Sequence, residues 1–80
     1  MARNFTNEDE GKRVLTADGD MVGTIDSVKG TTAHVTPDAG LSKSIRRRLG
    51  WSEADQETYE LRKSKVDKIE GDEIHLKKSL

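Results

Sequence analysis

Residues 11–28 read GKRVLTADGDMVGTIDSV, two short apolar runs on either side of an Asp18-Gly19 turn. Asp-Gly between apolar runs favours a hairpin, because both residues tolerate the positive φ that a tight turn requires. The stretch therefore predicts one strand at about residues 12–16 and a second at about residues 21–28.

The second strand of this hairpin is expected to bend. Gly23 and Ile25 share one face of a regular strand, whereas Val28 has the opposite parity. A flat strand cannot bury both Ile25 and Val28, so we expect a bulge or sharp bend between them. Small barrels turn their corners in this way, and Gly23 leaves room for another backbone to approach closely.

Four further strands follow from the same alternation of apolar and polar residues. The third ends at Pro37, because proline cannot donate a hydrogen bond to a neighbouring strand. The others lie at about residues 59–62, 65–70 and 73–77, and Gly71-Asp72 predicts a second tight hairpin. The fold expected from these patterns is mainly β: a small antiparallel six-stranded barrel.

The segment at about residues 41–50 interrupts the strand pattern with a predicted helix of two turns. Leu41, Ile45 and Leu49 lie four residues apart and form one apolar stripe. Ser42 is suited to cap the amino end, and Gly50 stands where a glycine ends many helices. Residues 52–55 predict a further capped turn before the chain returns to the sheet.

The chain is expected to form one domain, at residues 11–80. Residues 1–10 are polar apart from Met1, Ala2 and Phe5, and they predict a mobile arm that Phe5 could attach to the barrel or to a neighbour. Only 31% of the 80 residues are hydrophobic, so the core must be small. Small domains with few large apolar residues often gain stability from a second subunit, which favours a homodimer.

The charge and cysteine content exclude several classes of protein. Fourteen basic and fifteen acidic residues give a net charge of -1, which opposes a strong overall attraction to nucleic acid or to anionic lipid. The absence of cysteine removes disulfides, thiolate ligands and thiol nucleophiles. No run of apolar residues is long enough to span a membrane, and the amino terminus lacks the apolar region of a signal peptide, so a cytoplasmic location is expected.

No set of residues predicts catalysis, a metal or a cofactor. His34 and His75 have the parity of outward-facing residues, and no cysteine or paired histidine stands at ligand spacing. Asp18 and Asp20 flank a turn glycine, which is what the turn itself prefers. None of the serines lies in a nucleophile elbow, and no phosphate-binding loop is present.

The apolar stripe of the predicted helix, together with Trp51, has two compatible interpretations. It could cover the open end of the barrel, or it could form an interface, since tryptophan and arginine are enriched at interface hot spots. The residues assigned to a dimer or partner interface are Leu41, Ile45, Arg46, Arg47, Arg48, Leu49, Trp51 and Tyr59.

The basic cluster Arg46-Arg47-Arg48, with Lys43 one turn earlier, leaves three alternatives open. It could be a solvated face that complements the carbonyl end of the helix, a surface for a partner protein, or a contact for phosphate groups. The few aromatic residues are not interleaved with it, as a surface that stacks on bases would require.

The chain resembles the PRC-barrel family over residues 11–78. The pattern G-x-x-V, an Asp-Gly turn and V-G-x-I-x-x-V is similar to the first half of that barrel, and VDKIEGDEIHL is similar to its closing strands. The central segment resembles the stand-alone PRC-barrel proteins of archaea, especially haloarchaea, in the pattern V-x-P-D-x-G-L…L-G-W…D-x-x-T-Y-x-L. The matching residues are Val35, Pro37, Asp38, Gly40, Leu41, Leu49, Gly50, Trp51, Asp55, Thr58, Tyr59 and Leu61.

This resemblance implies a non-enzymatic adaptor of archaeal cell division, located at the division site. Such proteins associate with themselves or with a paralogue, and they link the membrane-tethering adaptor of the tubulin-like division ring to other division proteins. No small-molecule substrate, cofactor or membrane insertion is implied. The alternative is an RNA-binding or ribosome-assembly module that uses Lys43 and Arg46 to Arg48.

Overall fold

A computed structural model describes residues 4–51 and 57–78 and shows a mainly β chain with little helix. All six predicted strands are present, and the helix is shorter than predicted. The capped turn predicted at residues 52–55 lies outside the described residues. The strands are β1 (Arg13–Leu15), β2 (Met21–Lys29), β3 (Thr32–Pro37), β4 (Tyr59–Leu61), β5 (Val66–Glu70) and β6 (Glu73–Leu76); the helix is α1 (Lys43–Arg48), and short 3-10 turns lie at Asn7–Asp9 and Lys63–Lys65.

The six strands form one curved sheet in the order β4-β3-β2-β1-β6-β5, a half-barrel. The prediction of a closed antiparallel barrel is wrong in two respects. First, β1 and β6 are parallel, with Val14 opposite Ile74, although every other neighbouring pair is antiparallel. Second, β4 and β5 stand at the two ends of the strand order and do not pair, so the barrel is open.

The connection between β4 and β5 explains the parallel pair. The antiparallel pairs show that the chain reverses its direction at each step from β1 to β4, and again from β5 to β6. For β6 to run parallel to β1, the link at residues 62–65 must carry the chain onward without reversing it. An antiparallel arrangement throughout was expected from the sequence, and this short link with its 3-10 turn is where the structure departs from it.

The first hairpin forms as predicted, but a five-residue loop at residues 16–20 stands in place of the tight Asp-Gly turn: Gly19 has a φ of 92°, whereas Asp18 is not at positive φ. The Thr16 N–H donates to the carbonyl of Asp20 over 2.9 Å, and the Asp20 N–H donates to Thr16 Oγ1 over 3.0 Å. These two hydrogen bonds between Thr16 and Asp20 hold the ends of the loop together, and only 7% of Thr16 is exposed.

The predicted bend in β2 is confirmed as a bulge at Asp26. Ile25 pairs with Val35 and Ser27 pairs with His34, so Asp26 has no partner on β3. The extra residue changes the parity of the strand. Consequently Ile25 is buried and Val28 also packs against the core.

Gly23 allows β2 and β3 to approach each other, as expected. It lies opposite Pro37, and a methyl group on its Cα would overlap the carbonyl oxygen of Thr36 and come within 2.8 Å of Val35 Cγ1. A side chain at this position would separate the two strands at the curved part of the sheet.

The described part of the amino-terminal segment is packed on the sheet, and Phe5 is the residue that attaches it to the barrel. Phe5 is 3% exposed and belongs to the core. The Asp9 side chain is fully buried, accepts the Thr6 N–H over 2.9 Å and pairs with Lys12 Nζ over 2.8 Å. One aromatic side chain, Phe5, and one paired carboxylate, Asp9, are enough to attach a segment whose other residues are polar.

The core lies on the concave face of the sheet and extends to the segment after α1. It consists of Phe5, Val14, Val22, Ile25, Ala33, Val35, Leu49, Trp51, Tyr59, Leu61, Val66, Ile74 and Leu76. In the part of the chain that the structure describes, no helix is long and apolar enough to cross a membrane.

Candidate functional site

The short helix α1 carries four of the eight residues assigned to an interface, and local hydrogen bonds define both of its ends. At the amino end, Ser42 Oγ accepts the Ile45 N–H over 3.3 Å, as the predicted cap requires. At the other end, the Gly50 N–H donates to the Arg47 carbonyl and the Trp51 N–H donates to the Arg46 carbonyl, over 3.1 and 2.8 Å. This pair of bonds is the Schellman motif, and Gly50 supplies the positive φ of 77° that it needs.

The Schellman motif turns the chain so that Trp51 enters the core. Trp51 is 4% exposed, and its indole ring stacks on Tyr59 of β4 with ring centres 5.1 Å apart and planes 19° from parallel. The indole Nε1–H donates to the Glu60 carbonyl over 3.0 Å. The one polar group of the indole is therefore paired, as burial of tryptophan normally requires.

Arg46 of α1 also contacts the Tyr59 ring. Its guanidinium carbon lies 5.6 Å from the centre of the Tyr59 ring, a cation–π distance, and Nη2 donates to the Tyr59 hydroxyl over 3.3 Å. The Arg46 Nε–H is buried and has no acceptor among the described residues. The two contacts of Arg46 with Tyr59 attach α1 to β4. We call Arg46, Tyr59 and Trp51 the aromatic anchor.

The predicted interface residues fall into three groups by exposure. Leu49, Trp51 and Tyr59 are buried; Leu41, Ile45 and Arg46 are half-buried; Arg47 and Arg48 are exposed. Leu41 and Ile45 pack against the outside of the core. The apolar stripe therefore covers the core on this side of the domain, as the first of its two interpretations states.

The assignment of Trp51 and Tyr59 to contact with a partner stays a prediction, and their burial is what bears on it. Each is 4% exposed within a single chain and offers almost no area to another molecule. The sequence alone cannot separate an interface role from a core role for these two residues, because a large aromatic ring suits both. Their role in this structure is to hold α1 in place.

A groove of about 480 Å³ lies between α1, the loop of the first hairpin and the end of β6. Three cations from two distant parts of the chain line it, Arg48 and the pair Lys77 and Lys78. Asp18 and Asp20 line the groove from the hairpin loop, so its charge is mixed. Sequence reasoning missed the two lysines, because nothing local indicates that the end of β6 lies near α1.

The histidines do not form a ligand cluster with other residues. Both alternate with buried residues of their strands, as the predicted outward parity requires, and both are half-buried; His75 Nε2 lies 3.2 Å from Glu73 Oε1. Within residues 4–51 and 57–78, no group of three or more histidine, cysteine, aspartate or glutamate side chains could hold a metal ion.

Comparison with known proteins places this domain in a family without assigning an activity to it. No curated protein and no solved structure matches the chain. The model of a family of unknown function, DUF8593, matches residues 5–76. The match begins at the buried Phe5 and ends at Leu76 of β6, so it spans the whole folded unit from the packed amino-terminal segment to the last strand. The chain therefore belongs to the DUF8593 family.

Proposed function

We propose that this chain is a non-enzymatic protein-interaction module of archaeal cell division. In this proposal it associates with itself or with a paralogue, and it links the membrane-tethering adaptor of the division ring to other division proteins at the division site. The resemblance of its central segment to stand-alone archaeal PRC-barrel proteins supports the cellular role, and the geometry around α1 supports the binding role.

The observation that carries the proposal is the aromatic anchor. A six-residue helix has little stability of its own, because so few residues cannot offset the cost of nucleation. Stacking of Trp51 on Tyr59, together with Arg46, holds this helix in a fixed position on the sheet. A rigid exposed element loses little conformational freedom on binding, which favours recognition of a partner.

The surface that the anchor presents is apolar at its base and basic at its end. Leu41 and Ile45 are half-buried, and Arg47 and Arg48 are exposed and have no ion-pair partner among the described residues. Unpaired arginines beside apolar side chains suit a partner with an acidic rim around an apolar contact.

Binding to the division-ring adaptor tests the proposal. We expect Arg47→Ala/Arg48→Ala to weaken binding, measured by isothermal titration calorimetry, about tenfold, since each arginine loses a charge-assisted contact. The matched control is Lys29→Ala/Arg62→Ala, which removes two exposed cations at positions outside α1. Equal affinity of both variants, or no binding by the unmodified chain, would contradict the proposal.

RNA binding is the second candidate, because Arg48, Lys77 and Lys78 line one groove. Asp18 and Asp20 in the same groove oppose it, since they repel a phosphate backbone. An RNA-binding function requires an affinity that falls steeply with salt and that is lost in Arg48→Glu/Lys77→Glu. A filter-binding titration at two salt concentrations distinguishes it from the protein-interaction proposal.

A further inference from the structure

Strand β5 has one side that pairs with no other strand. It stands last in the sheet order, next to β6 only. Glu70 and Glu73 flank the two-residue turn Gly71-Asp72 and form the hydrogen-bonded pair that closes such a hairpin. Because hydrogen-bonded and non-hydrogen-bonded pairs alternate along an antiparallel ladder, the N–H and C=O groups of Ile69 point away from β6.

The edge at the other end of the sheet is protected. There, the indole N–H of Trp51 occupies the carbonyl of Glu60, the central residue of β4. This strand has only three residues, so the indole covers its middle. Proteins commonly block edge strands in this way to prevent unwanted pairing. In the part of the chain that the structure describes, no comparable group lies on the outer side of Ile69.

The side chains of β5 make it complementary to a second copy of itself. In a two-fold antiparallel pair centred on Ile69, Lys68 lies opposite Glu70 of the second copy, and Glu70 lies opposite its Lys68. Opposite charges at directly opposed positions stabilise a sheet, and like charges destabilise it. A two-fold pair centred on Lys68 or on Glu70 instead opposes two like charges, so only the register at Ile69 is favoured.

The existing contacts of these residues leave them available for such a pair. Lys68 Nζ and Glu70 Oε1 of the same strand lie 3.3 Å apart, with their side chains 52% and 64% exposed. An exposed pair of this kind contributes little stability and is easily exchanged for a pair between chains. Ile69 is half-buried against the rim of the core, opposite the fully buried Ile74. Pairing would place it beside Ile69 of the second copy and bury its remaining exposed area.

We propose that two copies of this chain associate through the outer side of β5, in the antiparallel register centred on Ile69. The inference rests on the self-association proposed above and names the surface that mediates it. Two backbone hydrogen bonds between the Ile69 residues and two Lys68–Glu70 ion pairs between the chains define the contact.

The test is a mixing experiment with single charge reversals, followed by sedimentation velocity. Lys68→Glu alone and Glu70→Lys alone each oppose like charges across the two-fold axis, so we expect each variant to sediment as a monomer. An equal mixture of the two variants restores both ion pairs between unlike chains and is expected to sediment as a heterodimer. The ion pair within each chain is absent from both variants, so a restored dimer reports contact between chains. Circular dichroism of each variant establishes that it is folded.

Each outcome has a distinct meaning. If the unmodified chain and both single variants are dimers, β5 is not the contact, and self-association through another surface stands. If the single variants are monomers and their mixture stays monomeric, the register is wrong. If the unmodified chain is a monomer at all concentrations, the proposed self-association itself fails, and this inference fails with it.

Discussion

Trp51 connects three features of the molecule: the end of α1, the middle of β4 and the core. Its backbone N–H completes the helix terminus, its ring stacks on Tyr59, and its indole N–H pairs with Glu60. The sequence alone cannot distinguish this role from an interface role, because the distinction depends on where β4 lies relative to α1. A pairing between strands distant in sequence determines that position.

We expect Trp51→Ala to lower the free energy of unfolding by about 3–5 kcal/mol, the usual cost of removing a large buried aromatic side chain. Trp51→Phe keeps a ring in the stack and loses only the hydrogen bond to Glu60 and some volume, so its expected cost is about 1–2 kcal/mol. Urea denaturation measures both values. An unchanged stability of Trp51→Ala would mean that the residue lies outside the core.

At the scale of elements, most of the structure follows from local sequence. The two hairpins, the strand positions and the bend in β2 were all predicted, because each depends on side-chain parity or on turn residues within a few positions. The helix was predicted at about residues 41–50, and it is shorter because its last positions form the Schellman turn. The parallel pairing of β1 with β6 was missed, since no local pattern records the direction of a chain that passes through the link at residues 62–65.

Gly23 is the position where one added methyl group should disturb two strands. We expect Gly23→Ala to destabilise the protein by about 1–3 kcal/mol, because the new Cβ would overlap backbone atoms of Thr36 that cannot move without opening the sheet. Gly40→Ala is the matched control, since its Cβ would approach only the flexible Asp38 side chain, at 3.2 Å. Urea denaturation of both variants tests the expectation, and equal stabilities would contradict it.

At the scale of the whole molecule, the domain is an open half-barrel with two unlike edges. Trp51 protects the β4 edge, whereas the β5 edge keeps the outward backbone groups of Ile69 and a self-complementary pair of charges. The low hydrophobic content led to an expected second subunit, and the open edge gives that expectation a specific surface. The interface residues predicted from the sequence all lie in or near α1 and β4, because they follow from local composition and spacing. A free edge at β5 depends on the order of the strands in the sheet, which no local pattern shows.

The molar mass of the unmodified chain in solution, measured by light scattering over a range of concentrations, tests most directly whether this is a self-associating interaction module. A single chain has a mass of 8.9 kDa. The proposal predicts a mass that rises with concentration to about twice that of one chain, as expected for association by mass action. A mass of one chain at every concentration would contradict it.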